Sequence, residues 1–92
     1  MPKVITYPAT QRLEVLARDY LTTKDIQVLC QVGKATADVI RGKYKEWLSR
    51  NNIRVFDIGK VDTDLFVRFT NEEVTVPTIN VERIEKYARK GY

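Results

Sequence analysis

Apolar positions recur along this chain mostly at the three-and-four spacing of helices, with one stretch that changes period. Leu13, Leu16, Ala17 and Tyr20 mark one face of a helix predicted over 9–20. Gln11, Arg12, Glu14 and Arg18 fall largely outside that face, and Pro8 separates the helix from an extended opening segment, 1–7, that reads as an arm. Thr22 or Thr23 caps a second helix in which Ile26, Leu29 and Cys30 share a face. Gln31-Val32-Gly33 is a tight bend. Gly33 is the residue expected at positive φ, with Val32 as an apolar plug inside the turn. A third helix restarts at once and runs to about Ser49, with Ala35, Ala37, Val39, Ile40 and Tyr44 available for packing. Trp47 and Leu48 join Tyr44 on a common side, whereas Lys34, Thr36, Asp38, Arg41 and Lys45 remain for the outer side. Asn51 and Asn52 close this helix, because asparagine tolerates the left-handed conformation.

The period then shortens. Ile53, Val55 and Phe56 predict a short strand, Gly59-Lys60 a turn, and Val61 a brief second strand that pairs back. Thr63 is the expected cap of a further helix, with Asp64 complementing its positive end and Leu65, Phe66 and Phe69 on one face. A longer hairpin, with Leu65, Val67 and Phe69 alternating, is the competing reading. Residues 71–78 read as irregular, with VTVPT as an edge strand because Pro77 cannot donate to an inner ladder. Asn80 caps a final helix over 80–90, closed by Gly91, whose stripe of Val81, Ile84, Tyr87 and Ala88 needs a partner. That partner is the chain's own core, over Trp47 or Phe66, or the same helix of a second copy. The expected fold is α+β and mostly α. A helix-turn-helix at 22–49 is followed by a small β-hairpin wing within 53–69 and flanked by N- and C-terminal helices in one domain, 1–92. Two short helices crossing through a turn of about three or four residues form that unit. The second of them is sized for the major groove of DNA.

A chain of 92 residues has room for one core, and 43% hydrophobic with 30% charged residues is a folding rather than a disordered composition. Cys30 is the single cysteine, which excludes an intrachain disulfide and a zinc knuckle and reads as a buried core thiol. There is no histidine, the commonest general base and zinc ligand. Asp62 and Asp64 fit helix capping better than a metal loop. Gly33-Lys34-Ala35-Thr36 lacks the upstream glycine and preceding strand of a phosphate-binding loop. No enzyme activity, cofactor, metal or small-molecule ligand is therefore expected. No apolar run is long enough to cross a bilayer, and MPKVITYP lacks a signal-peptide core, so a cytoplasmic protein without a membrane partner is expected. The net charge of +4 is unevenly spread. Residues 23–50 carry six basic and three acidic residues (+3), 51–79 three and five (−2), and 80–92 four and two (+2). Positive charge thus falls on the proposed reading helix and the tail, as a phosphate-facing surface requires.

The run LTTKDIQVLCQVGKATADVIRGKYKEWL, followed by IRVFDIGKVDTDLF, resembles the excisionase-like and MerR-like winged helix-turn-helix proteins of phages and integrative elements. The resemblance lies in a T-x-D-I start, Val32 inside the turn, Thr36 early in the reading helix, and an F-x-x-G-K wing. It spans about Leu21 to Phe69. Gln27 and Gln31 depart from it, standing where Ala and Gly are common. It implies a transcription regulator or recombination accessory factor that binds a specific double-stranded DNA site, often bends it, and works beside an integrase or recombinase. On physical grounds Lys34 and Thr36 stand where a reading helix meets base edges, with Asp38 on the same outer side. Arg41 and Lys45 lie further along, where side chains neutralise backbone phosphates. Lys60 at the wing tip reaches the adjacent minor groove or backbone, and Lys24 is a further phosphate candidate. The competing reading is a protein-interaction module that binds an integrase, a repressor or a host factor. Asp57, Asp62 and Asp64 around Lys60 favour it, because a net-negative wing repels phosphate.

Overall fold

In the computed structural model the described residues are 6–57 and 59–90, so most of the arm at 1–7, the helix-closing Gly91 and one position of the wing turn lie outside them. Helix α1 (Ala9–Leu16) starts on Pro8, whose carbonyl accepts from the N–H groups of Gln11 and Arg12. It stops four residues before the expected end. Tyr20–Leu21 instead forms a short strand, β1, antiparallel to β2 (Val61–Asp62), with Tyr20 opposite Asp62 and Leu21 opposite Val61. The early stop is stabilised from a distance. Thr63 N–H donates to the Asp19 carbonyl at 3.1 Å, and Thr63 Oγ1 donates to the Arg18 carbonyl at 2.6 Å. The buried positions of α1 are therefore Ala9 and Val15, with Leu13 and Leu16 half-buried and Tyr20 exposed, rather than the face Leu13-Leu16-Ala17-Tyr20.

Helix α2 (Thr23–Cys30) opens with a reciprocal cap, in which Thr22 Oγ1 accepts from Asp25 N–H and the Asp25 carboxylate accepts from Thr22 N–H. Asp25 is only 4% exposed and is also paired with Arg18. Asp25→Ala is expected to destabilise the fold by about 1 kcal/mol, since it removes the carboxylate half of the reciprocal cap and the ion pair with Arg18 while the Thr22 half remains. Urea denaturation measures this, and a change below about 0.5 kcal/mol would show that the cap is dispensable.

The bend after α2 differs from expectation in one respect. Gln31, not Gly33, adopts the left-handed conformation (φ 56°), while Gly33 is extended (φ −76°) and serves as the residue before α3 (Lys34–Arg50). A left-handed non-glycine residue costs about 1–2 kcal/mol. Partial compensation is visible, since Gln31 Oε1 accepts from Tyr7 N–H at 3.1 Å. Helix α3 buries Ala37, Ile40, Tyr44, Trp47 and Leu48, whereas Ala35 and Val39 point outward, Val39 being 58% exposed. Asn52 (φ 54°) terminates it as expected, and Asn51 Nδ2 donates to the Trp47 carbonyl.

The hairpin expected over 53–61 does not form. Among the described residues 53–57 contain no strand, and Val61 pairs with Leu21 instead, because both side chains are buried there. The turn itself persists on a loop: Asp57 Oδ1 accepts from Gly59 N–H, and the Asp57 carbonyl accepts from Lys60 N–H. Helix α4 (Thr63–Glu72) is capped by Asp62, which accepts from Leu65 N–H. Thr63 is thereby free for its bond across the fold. Residues 65–69 are helical rather than part of a longer hairpin, and the helix runs on through Asn71 and Glu72. Phe66 and Phe69 join Tyr44 and Trp47 in an aromatic cluster with ring centroids 5.7–6.4 Å apart. The VTVPT segment forms no strand; Val76 and Ile79 are buried, and Ile79 N–H donates to the buried Thr70 hydroxyl.

Helix α5 (Val81–Arg89), capped by Asn80, packs chiefly on α1 through Ile84, not over Trp47 or Phe66. The whole is mostly helical with one small antiparallel sheet. No described helix is long and apolar enough to cross a membrane.

Cys30 is buried, and that burial pushes its thiol up to about 12, with the Arg12 charge acting in the opposite sense. Because the unfolded thiol ionises from its ordinary value of 9.0, stability is unaffected below that pH and is lost as pH climbs from there toward about 12. Alkylation of the native chain at pH 8 is expected to be at least about a hundredfold slower than of the denatured chain. Equal rates would refute this.

Candidate nucleic-acid interface

The buried side of α3 determines which of its residues face outward. Lys34, Asp38, Arg41 and Lys45 follow one another at steps of four, three and four, and so form one line along an edge of the helix. Thr36 does not share it. Two residues after Lys34, it projects about 160° away around the helix. On the far edge, Lys43 donates to Thr75 Oγ1, and Arg50 pairs with Glu73, whose carboxyl Arg50 and Thr75 hold below its ordinary range.

Arg41 is the centre of the line, and its role differs from that of a free phosphate contact. Its Nη1 donates to Thr23 Oγ1 at 3.4 Å and its Nη2 donates to the Gly59 carbonyl at 2.9 Å. One guanidinium thus ties the start of α2, the middle of α3 and the 57–60 turn together. Lys60 is held beside it, its Nζ 5.0 Å from the centroid of the Tyr20 ring. Tyr20, Thr22, Thr23, Arg41, Gly59 and Lys60 line an open cleft of about 560 Å³. Lys34 and Lys45 flank this arrangement as exposed cations with no ion pair among the described residues. Asp38 lies between them in the line and lowers its net charge. Lys24 is engaged elsewhere: its Nζ donates to Tyr7 Oη at 3.2 Å and sits 5.3 Å from that ring's centroid.

Sequence reasoning missed Thr23, Tyr20 and the Gly59 carbonyl as members of this site. Each meets its partner across many residues of chain, and no local spacing signals that. Arg41→Ala is expected to release the turn, raising amide exchange at residues 59–61 by about tenfold or more. That corresponds to losing a charged hydrogen bond of about 1.5 kcal/mol. Unchanged exchange there would show that Arg41 does not hold the turn.

No family model matches the chain, and neither a curated protein nor a solved structure matches it.

Proposed function

We propose that this chain binds double-stranded DNA as a winged helix-turn-helix protein, with α2 and α3 as the helical pair and the Lys60 turn in the place of a wing. The observation that carries the reading is Arg41 bridging Thr23 and Gly59, because it sets the Lys60 turn beside the cationic edge of α3. Lys34 and Lys45 stand about 16 Å apart along that helix, a span that follows one groove wall and its phosphates. Lys34, at the first turn, is assigned to base edges, and Lys45 and Lys60 to the backbone. The role follows the resemblance: a transcription regulator or an excisionase-like recombination accessory factor of a phage or mobile element.

A selected duplex tests this. Lys34→Ala is expected to cost about 1–3 kcal/mol of discrimination between preferred and altered sites, whereas Lys45→Ala weakens all sites alike. If neither substitution changes affinity or preference, α3 is not in the groove. One observation favours a second reading, docking of a protein such as an integrase or repressor. The outermost ridge of α3 is Ala35, Val39, Gly42 and Glu46, which lacks positive charge and leaves Val39 open. Val39→Asp would then abolish capture of the protein partner, whereas on the DNA reading it weakens duplex binding.

A further inference from the structure

On the side formed by α1, the bend after α2 and the start of α5 lies a second cleft, of about 520 Å³, lined by Arg12, Gln31, Thr78, Asn80, Arg83 and Tyr87. Its charge is one-sided. Arg12 and Arg83 form no ion pair with a carboxylate among the described residues, and neither do Lys86 and Lys90 in the adjoining recesses. Glu82 is the acidic side chain lining the adjoining recess.

Arg12 is half-buried. Its Nη2 donates to the Leu29 carbonyl at 2.7 Å, in the last turn of α2, while its Nε is buried without a partner. Burial without a counter-charge lowers the affinity of this guanidinium for its proton. Among the described residues the Arg83 guanidinium donates to a phenol, its Nε and Nη2 lying 3.3 and 3.2 Å from Tyr87 Oη. Two guanidiniums therefore line one concave, polar space with no neutralising carboxylate among the described residues, and for the half-buried Arg12 this carries a desolvation cost that a bound anion would offset.

We propose that this cleft is an oxyanion site for a phosphate group, held by the guanidiniums of Arg12 and Arg83, with Gln31, Thr78 and Asn80 as neutral polar lining. The guanidinium N–H groups left over from Leu29 and Tyr87 suit the oxygens of a phosphate, and the volume admits a phosphate ester with a small organic group. The group arrives either on a nucleic-acid backbone or on a free phosphorylated small molecule; the chemistry of the site is the same. The inference is independent of the DNA reading, since inorganic phosphate probes it directly.

The test is a titration of the full chain with inorganic phosphate at constant ionic strength, followed by amide NMR. Saturable shifts at Gln31, Asn80, Arg83 and Ile84 are expected, with a dissociation constant on the order of 1 mM or tighter. Arg83→Gln is expected to weaken binding about tenfold, and Arg89→Gln, the same charge change on the same helix, to leave it unaltered. The Arg83 side chain is exposed and donates to Tyr87, while the backbone bond to the Asn80 cap is kept on substitution, so the variant retains the fold; native-like spectra verify this. Absence of saturable shifts, or equal affinity in wild type and Arg83→Gln, overturns the site. A second arm separates the sources. If Arg83→Gln lowers the salt slope of duplex binding by about one, the phosphate belongs to DNA. If phosphate binding is lost with the duplex slope unchanged, a small phosphorylated ligand is the occupant.

Discussion

Replacing Phe66 by alanine is expected to cost about 4 kcal/mol and to lower the urea midpoint sharply. Phe66 is fully buried, and its ring centroid lies 5.8 Å from Tyr44 and 5.7 Å from Phe69. These rings join α3 to α4, so the cavity left by truncation opens where two helices meet and cannot collapse without moving one of them. A domain of this size has a total stability of about 5–10 kcal/mol, so the loss is a large fraction of it. Tyr44→Phe is the control. It keeps the ring, and the Asp62 backbone approaches the hydroxyl too loosely for a well-formed hydrogen bond. The change is expected to stay below about 1 kcal/mol. Urea denaturation followed by Trp47 fluorescence reads both. A Phe66→Ala midpoint close to wild type would mean that the aromatic cluster is not the centre of the core.

Duplex affinity is expected to fall steeply with salt. Lys34, Lys45 and Lys60 are exposed cations on the proposed interface, and none makes an ion pair with a described carboxylate. If about three phosphates are neutralised, log affinity declines against log salt with a slope of roughly −3. Between 50 and 200 mM salt that is a loss of about two orders of magnitude. Fluorescence anisotropy on a random-sequence duplex measures it. A flat dependence, or no binding at micromolar protein in low salt, would sink the DNA reading and leave the outward ridge at Val39 as the surface to pursue.

The two residues at 31 and 33 show where local reasoning succeeds and where it stops. A bend between two helices was legible in Gln31-Val32-Gly33, because the apolar period breaks and restarts there. Which residue turns left-handed was not legible, because intrinsic preference favours glycine. Here a bond from Tyr7, 24 residues away, helps to hold Gln31 in the strained position. The Thr22 cap, the inward Tyr44, Trp47 and Leu48, the buried Cys30, the Asn52 stop and the Asn80 cap all follow from neighbours within a turn of helix. Local spacing and capping therefore determine where the helices lie and which residues are buried on α2 and on the later turns of α3.

The pairing partner of Val61, the early end of α1, the packing of α5 on α1 and the work done by Arg41 were decided by tertiary structure. Each depends on a group brought close from elsewhere in the chain. Thr63 satisfies carbonyls 44 and 45 residues away, and Arg41 reaches 18 residues in either direction. A two-residue strand has too little pattern to name its partner, and a lysine or arginine on a helix edge looks the same in sequence whether it faces solvent or holds a turn. What the sequence by itself determined was where the helices lie and, on α2 and the later turns of α3, which side chains are buried. Only the assembled fold decided which cations are left open and which are already engaged, because hydrogen-bond partners are chosen by distance in space and not along the chain.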